Sequence, residues 1–313
     1  MIGSMYSSLE SEIKNLCQRI GKEGRDHWWI KTSVSEAFES AGYHLLPRHF
    51  YTPIPDPELV SRLDFEAEAY PFKENQFNEK TALQFLKTIA TYAEEIEKNF
   101  PTTGHSTTGY YWNNFFFRGI DASSLYTFIR TEKPNKVVEI GSGFSTHIAL
   151  QATKENGLGR ITCIEPYPTP VLLELSNQIE IIQDKVQNVP LEIFSSLESG
   201  DILFIDSAHV SCLGSDVNYE LFQILPRLKE GVLIHIHDVF LPFEYPRDWV
   251  IDRRWYWNEQ YILYALLRMS DSFEVLMPNV YLQKRHPNAI LDALPFLGQE
   301  ALSGSSFWLR KLK

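Results

Sequence analysis

Residues 136–146 read KVVEIGSGFST, and the fold is decided on this stretch. Lys136 to Ile140 is a short apolar run without period-two alternation, as expected of a parallel strand buried on both faces. It runs into Gly141-Ser142-Gly143, a turn whose glycines let backbone approach a ligand and permit positive φ. Ser145 or Thr146 is then placed to cap the next helix. The turn is a GxG and not the dinucleotide-binding GxGxxG, because Thr146 stands at the third glycine position. Glu139, two residues before the first glycine, would repel a pyrophosphate and could receive an amino-acid ammonium instead.

Working outward, strands and helices alternate at intervals of roughly 25–30 residues. Helix DASSLYTFIRTE precedes the turn. Helix STHIALQATKE, strand RITCIEP, helix TPVLLELSNQ and strand IEIIQD follow it. Then come LEIFSSL, strand DILFIDS, helix SDVNYELFQILPRL and strand GVLIHIHDV. A helix near 258–269, a strand SFEVLM and a last strand FWLRK close the chain. The class is α/β: a doubly wound, mostly parallel seven-stranded sheet with helices on both faces. The closing strands fit an antiparallel edge strand after the fifth parallel one.

Residues 1–120 read as a mainly helical N-terminal extension, and 121–313 as the ligand-binding domain. In 78–99 an apolar face of Leu83, Leu86, Ile89, Ala90, Ala93 and Ile96 predicts a helix starting at Asn78. Residues 49–60, HFYTPIPDPELV, are too proline-rich for regular helix and read as a pinned irregular segment.

The chain has 313 residues, 44% apolar and 22% charged, enough for a sizeable core and against wholesale disorder. Forty acids against 29 Lys and Arg give a charge of −11, which argues against sequence-independent nucleic-acid binding. Cys17, Cys163 and Cys212 form neither a disulfide framework nor a zinc pattern. The sequence lacks a signal peptide's apolar core and any apolar run of about 18 residues. A cytoplasmic protein without membrane contact is expected.

Several polar residues fall at strand ends, where open α/β sheets bind ligands. Glu165 ends the second strand, about 20 residues past the turn, where an acid accepts both ribose hydroxyls. Asp184 closes the third and could meet an adenine amino group or be a surface charge. Asp206 ends the fourth strand, with His209 three residues on. An imidazole of unperturbed pKa about 6.5 can take a hydroxyl proton at neutral pH. His235 and His237 alternate to one face of the fifth strand, and Asp238 stands at its tip. His235 reads as a buried core histidine, and Asp216 as the cap of the following helix. Asp206 and Asp238, with His237 beside them, could hold a divalent ion such as Mg²⁺, a softer metal, or none.

The motifs EIGSGFST, CIEP, LFIDSAH and HIHDV together resemble the class I S-adenosylmethionine-dependent methyltransferases, and within them the macrocin-type O-methyltransferase-like domain family. The resemblance covers about residues 121–285. It implies S-adenosylmethionine as cofactor, with Glu139, Gly141 and Gly143 around its methionine part and Glu165 on its ribose; Ser142, Ser145 and Asp184 are counted with them as cofactor-binding candidates. It also implies Mg²⁺ held by acids at the Asp206 and Asp238 positions, with His209 as general base. His237-Asp238 departs from the paired acids that some members carry there.

The expected function is methyl transfer to a hydroxyl of a small molecule, a sugar being one candidate. The aromatic stretch from Phe243 to Tyr261 could overhang the acceptor or make a homodimer contact. Tyr51 to Asp56 and Trp112 to Phe115 could close the opposite wall. Other readings are an NAD-dependent oxidoreductase or epimerase, a metal hydrolase built on HIHD, and a non-catalytic S-adenosylmethionine-binding protein. The missing third glycine and the absence of a YxxxK pair weigh against the first. The shortage of further metal ligands weighs against the second, and the retained Asp206, His209 and Asp238 against the third.

Overall fold

The computed structural model describes residues 2–27, 29–104 and 109–313. The chain divides into two compact units, residues 1–63 and 64–313. In the first, helix Ile2–Glu23 is followed by the short antiparallel pair Arg25–Asp26 and Trp29–Ile30 and by helix Thr32–Ser40. The proline-rich stretch forms bends and then the single turn Pro57–Val60. Its N-cap Asp56 accepts from the Glu58 N–H and pairs with Arg48, each at 2.8 Å.

The second unit opens with α1, Glu79–Asn99, whose N-cap Asn78 accepts from the Thr81 N–H at 3.3 Å. Its buried positions are Ala82, Leu86, Ile89 and Ile96. Ala90, expected on that face, is exposed, because the stripe follows the i, i+4, i+7 line from Ala82. Helix α2, Gly119–Glu132, is buried from Gly119 to Ile129. A helix covered on every side has an apolar face all round, and the polar residues it does carry must find partners inside.

The sheet strands are β1 Lys136–Ile140, β2 Arg160–Ile164, β3 Glu180–Ile182, β4 Ile202–Ile205, β5 Leu233–Ile236, β6 Phe273–Pro278 and β7 Phe307–Lys311. Helix α3, Phe144–Asn156, follows the glycine turn, and α4, Glu259–Met269, precedes β6. The seven-stranded order is β3-β2-β1-β4-β5-β7-β6. Strands β1 to β5 pair in parallel with one another, and β7 is antiparallel to both β5 and β6. The antiparallel strand is therefore not at the edge as expected. It slots inside β6, which becomes the edge. The reason is burial: Phe307 and Leu309 enter one core and Trp308 the other, and a strand buried on both faces needs a neighbour on each side.

The helix expected over SDVNYELFQILPRL is irregular. An α turn, Asp216–Tyr219, passes through a π turn, Glu220–Ile224, into a 3₁₀ turn at Leu225–Arg227. Its N-cap is Ser215 and not Asp216, since the Ser215 hydroxyl accepts from the Asn218 N–H at 3.3 Å. Asp216 instead accepts from the Ala208 N–H at 3.1 Å. Such π turns frequently accompany functional sites.

Strand parity decides where Glu139 goes. Val137 and its row face the core under α2 and α3, while Val138 and Ile140 face the opposite core. Glu139 shares the parity of Val137 and is fully buried. It accepts from the Thr146 hydroxyl at 2.5 Å and the Cys163 thiol at 3.5 Å. Burial pushes its carboxyl up to about 7, against the pull of the Thr146 and Cys163 hydrogen bonds. An acid raised in the folded state stabilises most below its unfolded pKa and loses that contribution as pH rises through the folded value. Glu139→Gln, which cannot ionise, should therefore match wild type near pH 4 and become more stable than it above pH 7. From the shift to about 7, the gain is on the order of 3 kcal/mol. Urea unfolding at the two pH values measures it, and an equal stability difference at both would count against a buried, titrating Glu139.

Candidate active site

The register of the parallel strands continues one residue past their ends. The Gly141 N–H reaches Ile164 O at 3.0 Å and the Glu165 N–H reaches Ile182 O at 3.1 Å. The Asp206 N–H reaches Ile140 O at 2.8 Å and the His237 N–H reaches Ile205 O at 2.9 Å. Gly141, Glu165, Asp206 and His237 thus stand in one row along the carboxyl edge. Gly141 has φ +76°, and a Cβ there would lie 1.9 Å from the Asp206 carbonyl oxygen. Only glycine allows β1 and β4 to approach so closely at the turn.

Two cavities, of about 540 and 410 Å³, share Gly141, Glu165 and Asp206 in their walls. The larger continues past Tyr167, Lys185, Gln187, Ser207 and Asp216. The smaller runs along Ser142, Gly143, Ser145 and His147 under Phe116, Phe117 and Leu172. Glu165 is held by backbone: Oε1 accepts from the Tyr167 N–H at 2.8 Å and Oε2 from the Ser142 N–H at 3.3 Å.

Several expectations shift. Glu139 lies behind the glycine turn and lines neither cavity. The cap of α3 is Gly143, and Thr146 in the first turn accepts from the Gly143 N–H at 3.2 Å while donating to Glu139. Asp184 also lies off the cavity wall, accepting at 2.7 Å from both the Lys185 N–H and the Asn188 amide. The Asn188 and Lys185 hydrogen bonds hold its carboxyl below the usual range. Its neighbours Lys185, Val186 and Gln187 face the cavity instead. Trp112 is no wall residue either, because its ring is buried and donates to Phe100 O at 3.0 Å. Tyr51 to Asp56 belong to the first unit.

Around Asp206 acids and imidazoles alternate. His209 Nε2 lies 3.4 Å from Asp206 Oδ1 and 3.7 Å from Asp238 Oδ2. His237 Nδ1 lies 3.5 Å from Asp206 Oδ1 and 3.6 Å from Asp238 Oδ1. Behind each ring stands another carboxylate. Glu259 Oε2 is 3.0 Å from His209 Nδ1, and Asp121 Oδ2 is 3.2 Å from His237 Nε2. Neither Glu259 nor Asp121 was singled out from the sequence, where nothing in their spacing pairs them with residues 50 or more positions away. His235 is buried as expected, but its partner is the Ser306 hydroxyl at 2.6 Å.

These contacts set the charges. Burial by itself would lower His209, but the hydrogen-bonded carboxylates of Asp206 and Glu259 outweigh it and push the imidazole up to about 10. The expectation of an ordinary imidazole pKa is corrected by those neighbours. His237 is likewise raised, burial being overcome by Asp238 and Asp206. Burial and the charge of His237 lower His235. Burial opposes ionisation of Asp206 and Asp238, yet His237, helped by His209, holds both below the usual range. Burial raises Glu259 and the neighbouring Glu220, with His209 drawing Glu259 back.

Among the described residues, no three His, Cys, Asp or Glu side chains form a group that could hold a metal ion. The expected ion between Asp206 and Asp238 is therefore not supported by this donor set, in which His209 Nε2 and His237 Nδ1 stand 3.4 to 3.7 Å from the two carboxylates. His209 and Asp238 also carry φ values of +58° and +55°, costs of about 1–3 kcal/mol each that cluster at functional sites.

An aromatic group adjoins the cluster. The Trp257 ring lies 4.4 Å from the His209 ring, Trp255 stacks on Trp257 at 5.1 Å, and Trp249 meets both edge-on. Arg253 lies over Trp255 at 4.9 Å.

Residues 138–239 match the family model of a methyltransferase domain. An uncharacterised protein of Archaeoglobus fulgidus is 34% identical over 215 residues, 64% of this chain and 90% of that protein. Solved structures similar to the chain include the SAH-bound methyltransferase PaMTH1 of Podospora anserina. It is 18% identical with a TM-score of 0.38, over 76% of this chain and 97% of that one. The O-methyltransferase of Bacillus cereus in complex with SAH is 14% identical with a TM-score of 0.38, over 75% of this chain and 92% of that one. Among the described residues no helix is long and apolar enough to cross a membrane. At the identity and coverage it shares with the archaeal protein, the chain belongs to that protein's family, with a methyltransferase domain matched over residues 138–239.

Proposed function

We propose that the cleft binds S-adenosylmethionine and that the protein transfers its methyl group to a small-molecule hydroxyl, with a sugar as the first candidate acceptor. The observation that carries this reading is the row Gly141, Glu165, Asp206 and His237. In it a backbone-held carboxylate borders a glycine turn, and an acid–imidazole cluster begins one strand away. Glu165 is suited to accept from two ribose hydroxyls. The wall at Lys185 to Gln187 suits an adenine, and the turn at Ser142, Gly143 and Ser145 suits the amino-acid end. Glu139 supports that turn through Thr146.

When bound, the cofactor supplies an electrophilic methyl group on a sulfonium. Glu165 and the glycine turn would hold it with that methyl carbon offered to the acceptor oxygen, the carbon–sulfur electron pair leaving on sulfur. The hydroxyl proton passes to His209 Nε2. Carboxylates at Asp206 and Asp238 favour the cationic ring that results. In the free protein the carboxylates of Asp206 and Glu259 overcome burial and push the His209 imidazole up to about 10. Nε2 becomes a proton acceptor as pH rises, or as positive charge enters beside Asp206. The indole wall of Trp249, Trp255 and Trp257 offers flat apolar faces on which a sugar ring can stack.

Glu165→Ala should weaken S-adenosylmethionine binding about tenfold or more, since hydrogen bonds to charged groups are worth about 1.5–3 kcal/mol. Unchanged affinity by titration calorimetry would remove the ribose assignment. With methyl glucoside and catechol as probe acceptors, His209→Ala should lower kcat by about 10²–10⁴ and leave cofactor affinity nearly intact. In wild type, turnover should fall on acidification with an apparent pKa above that of a free imidazole. Near-wild-type turnover in the variant transfers the base role to His237. Excess EDTA should leave turnover unchanged, because no three ligand side chains among the described residues are grouped to hold an ion; a loss reversed by added Mg²⁺ would replace this reading with a metal-assisted one.

A further inference from the structure

His209 is gripped from behind by one short segment. Its carbonyl oxygen accepts from the N–H groups of Asn258 at 3.1 Å and Glu259 at 3.3 Å. The Asn258 side chain accepts from the Ser211 N–H at 2.6 Å and donates to the Ser211 carbonyl at 3.3 Å. Trp257 packs on the ring. The Glu259 carboxylate meets Nδ1 at 3.0 Å, with the two side chains only 7% and 1% exposed. The left-handed backbone at His209, φ +58°, persists because this segment over-determines it. Nε2 is then left to face Asp206, the acid in the wall of both cavities.

A carboxylate on one ring nitrogen decides which nitrogen carries the proton and how the ring is rotated. Resting on the reading of His209 as base, we propose that Glu259 is its positioning residue. Glu259 holds the Nδ1 proton, presents Nε2 to the acceptor hydroxyl, and stabilises the imidazolium formed when that proton arrives. The proton moves from the hydroxyl to Nε2, Nδ1 keeps its own, and Glu259 exchanges none with the acceptor. Its second oxygen, Oε1, is buried without a hydrogen-bond partner among the described residues. A carboxylate is costly there unless its other oxygen is well used.

The test pairs a spectroscopic and a kinetic measurement on the full chain. In proton–nitrogen spectra of ¹⁵N-histidine-labelled protein, the His209 ring signals are those lost in His209→Ala. Glu259→Gln should displace them and the downfield Nδ1 proton while leaving cofactor affinity unchanged. With the methyl glucoside and catechol probes, Glu259→Gln should lower kcat about 10- to 100-fold with little change in KM. It should cause no further loss in a His209→Ala background, since coupled residues are non-additive. Glu259→Asp serves if the glutamine variant does not fold, and should recover part of the ring signature. Unmoved ring signals, or a full additional loss in the double variant, would overturn the proposal. Normal turnover in His209→Ala alone, with the ring signals still dependent on Glu259, would overturn the base reading and not the contact.

Discussion

One buried carboxylate ties the helical layer to the carboxyl edge of the sheet. Asp121, in the first turn of α2, accepts from the Ser305 N–H at 2.6 Å, the Ser306 N–H at 2.9 Å and the Asn279 amide at 2.7 Å. It also lies against His237. Gly304 makes room for it, since a Cβ there would come within 2.3 Å of the carboxyl carbon. A buried carboxylate is tolerated when hydrogen bonds surround it, and removing one partner of such a group typically costs about 3–5 kcal/mol. The start of β7 is thereby fixed beside β5, which places the antiparallel strand inside the sheet. The same acid reaches the back of a histidine whose front faces the cleft.

The acid–imidazole cluster extends this arrangement across the sheet edge. Asp121, His237, the Asp206–Asp238 pair, His209 and Glu259 alternate in charge type, so each buried acid meets an imidazole. Alternation offsets the desolvation that any one of these groups would suffer alone. Its chemical consequence is that His209 and His237 are raised by the acids around them, while Asp206 and Asp238 are held below the usual carboxylate range. Positive φ at His209 and Asp238 shows that packing overrides local backbone preference there.

Much of the architecture was legible in the sequence because it rests on short-range patterns. Apolar runs without alternation marked the parallel strands, and the GSG turn marked the β1–α3 junction. The step from strand to polar residue at Glu165 and Asp206 marked the carboxyl edge of the sheet, while the fifth strand, read as ending at Asp238, meets that row one residue earlier at His237. Asn78 declared its helix start because capping is local. The less legible parts were those where two segments compete for one place. Asp216 looked like a cap, but Ser215 takes that position and frees Asp216 for the Ala208 N–H. Ala90 lost its buried position to Ala82 once α1 settled its face.

The sequence by itself determined the fold class, the glycine turn and the strand-end residues, since each depends on residues within a few positions of one another. Tertiary structure alone decided the position of β7, the withdrawal of Glu139 behind the turn, and the partners of the two site histidines. Strand parity and the second core set the first two. The third depends on Asp121 and Glu259, which reach the histidines from other elements. Whether an imidazole is lowered by burial or raised by acids is a matter of which carboxylates the fold brings within about 4 Å, and no local pattern encodes that distance.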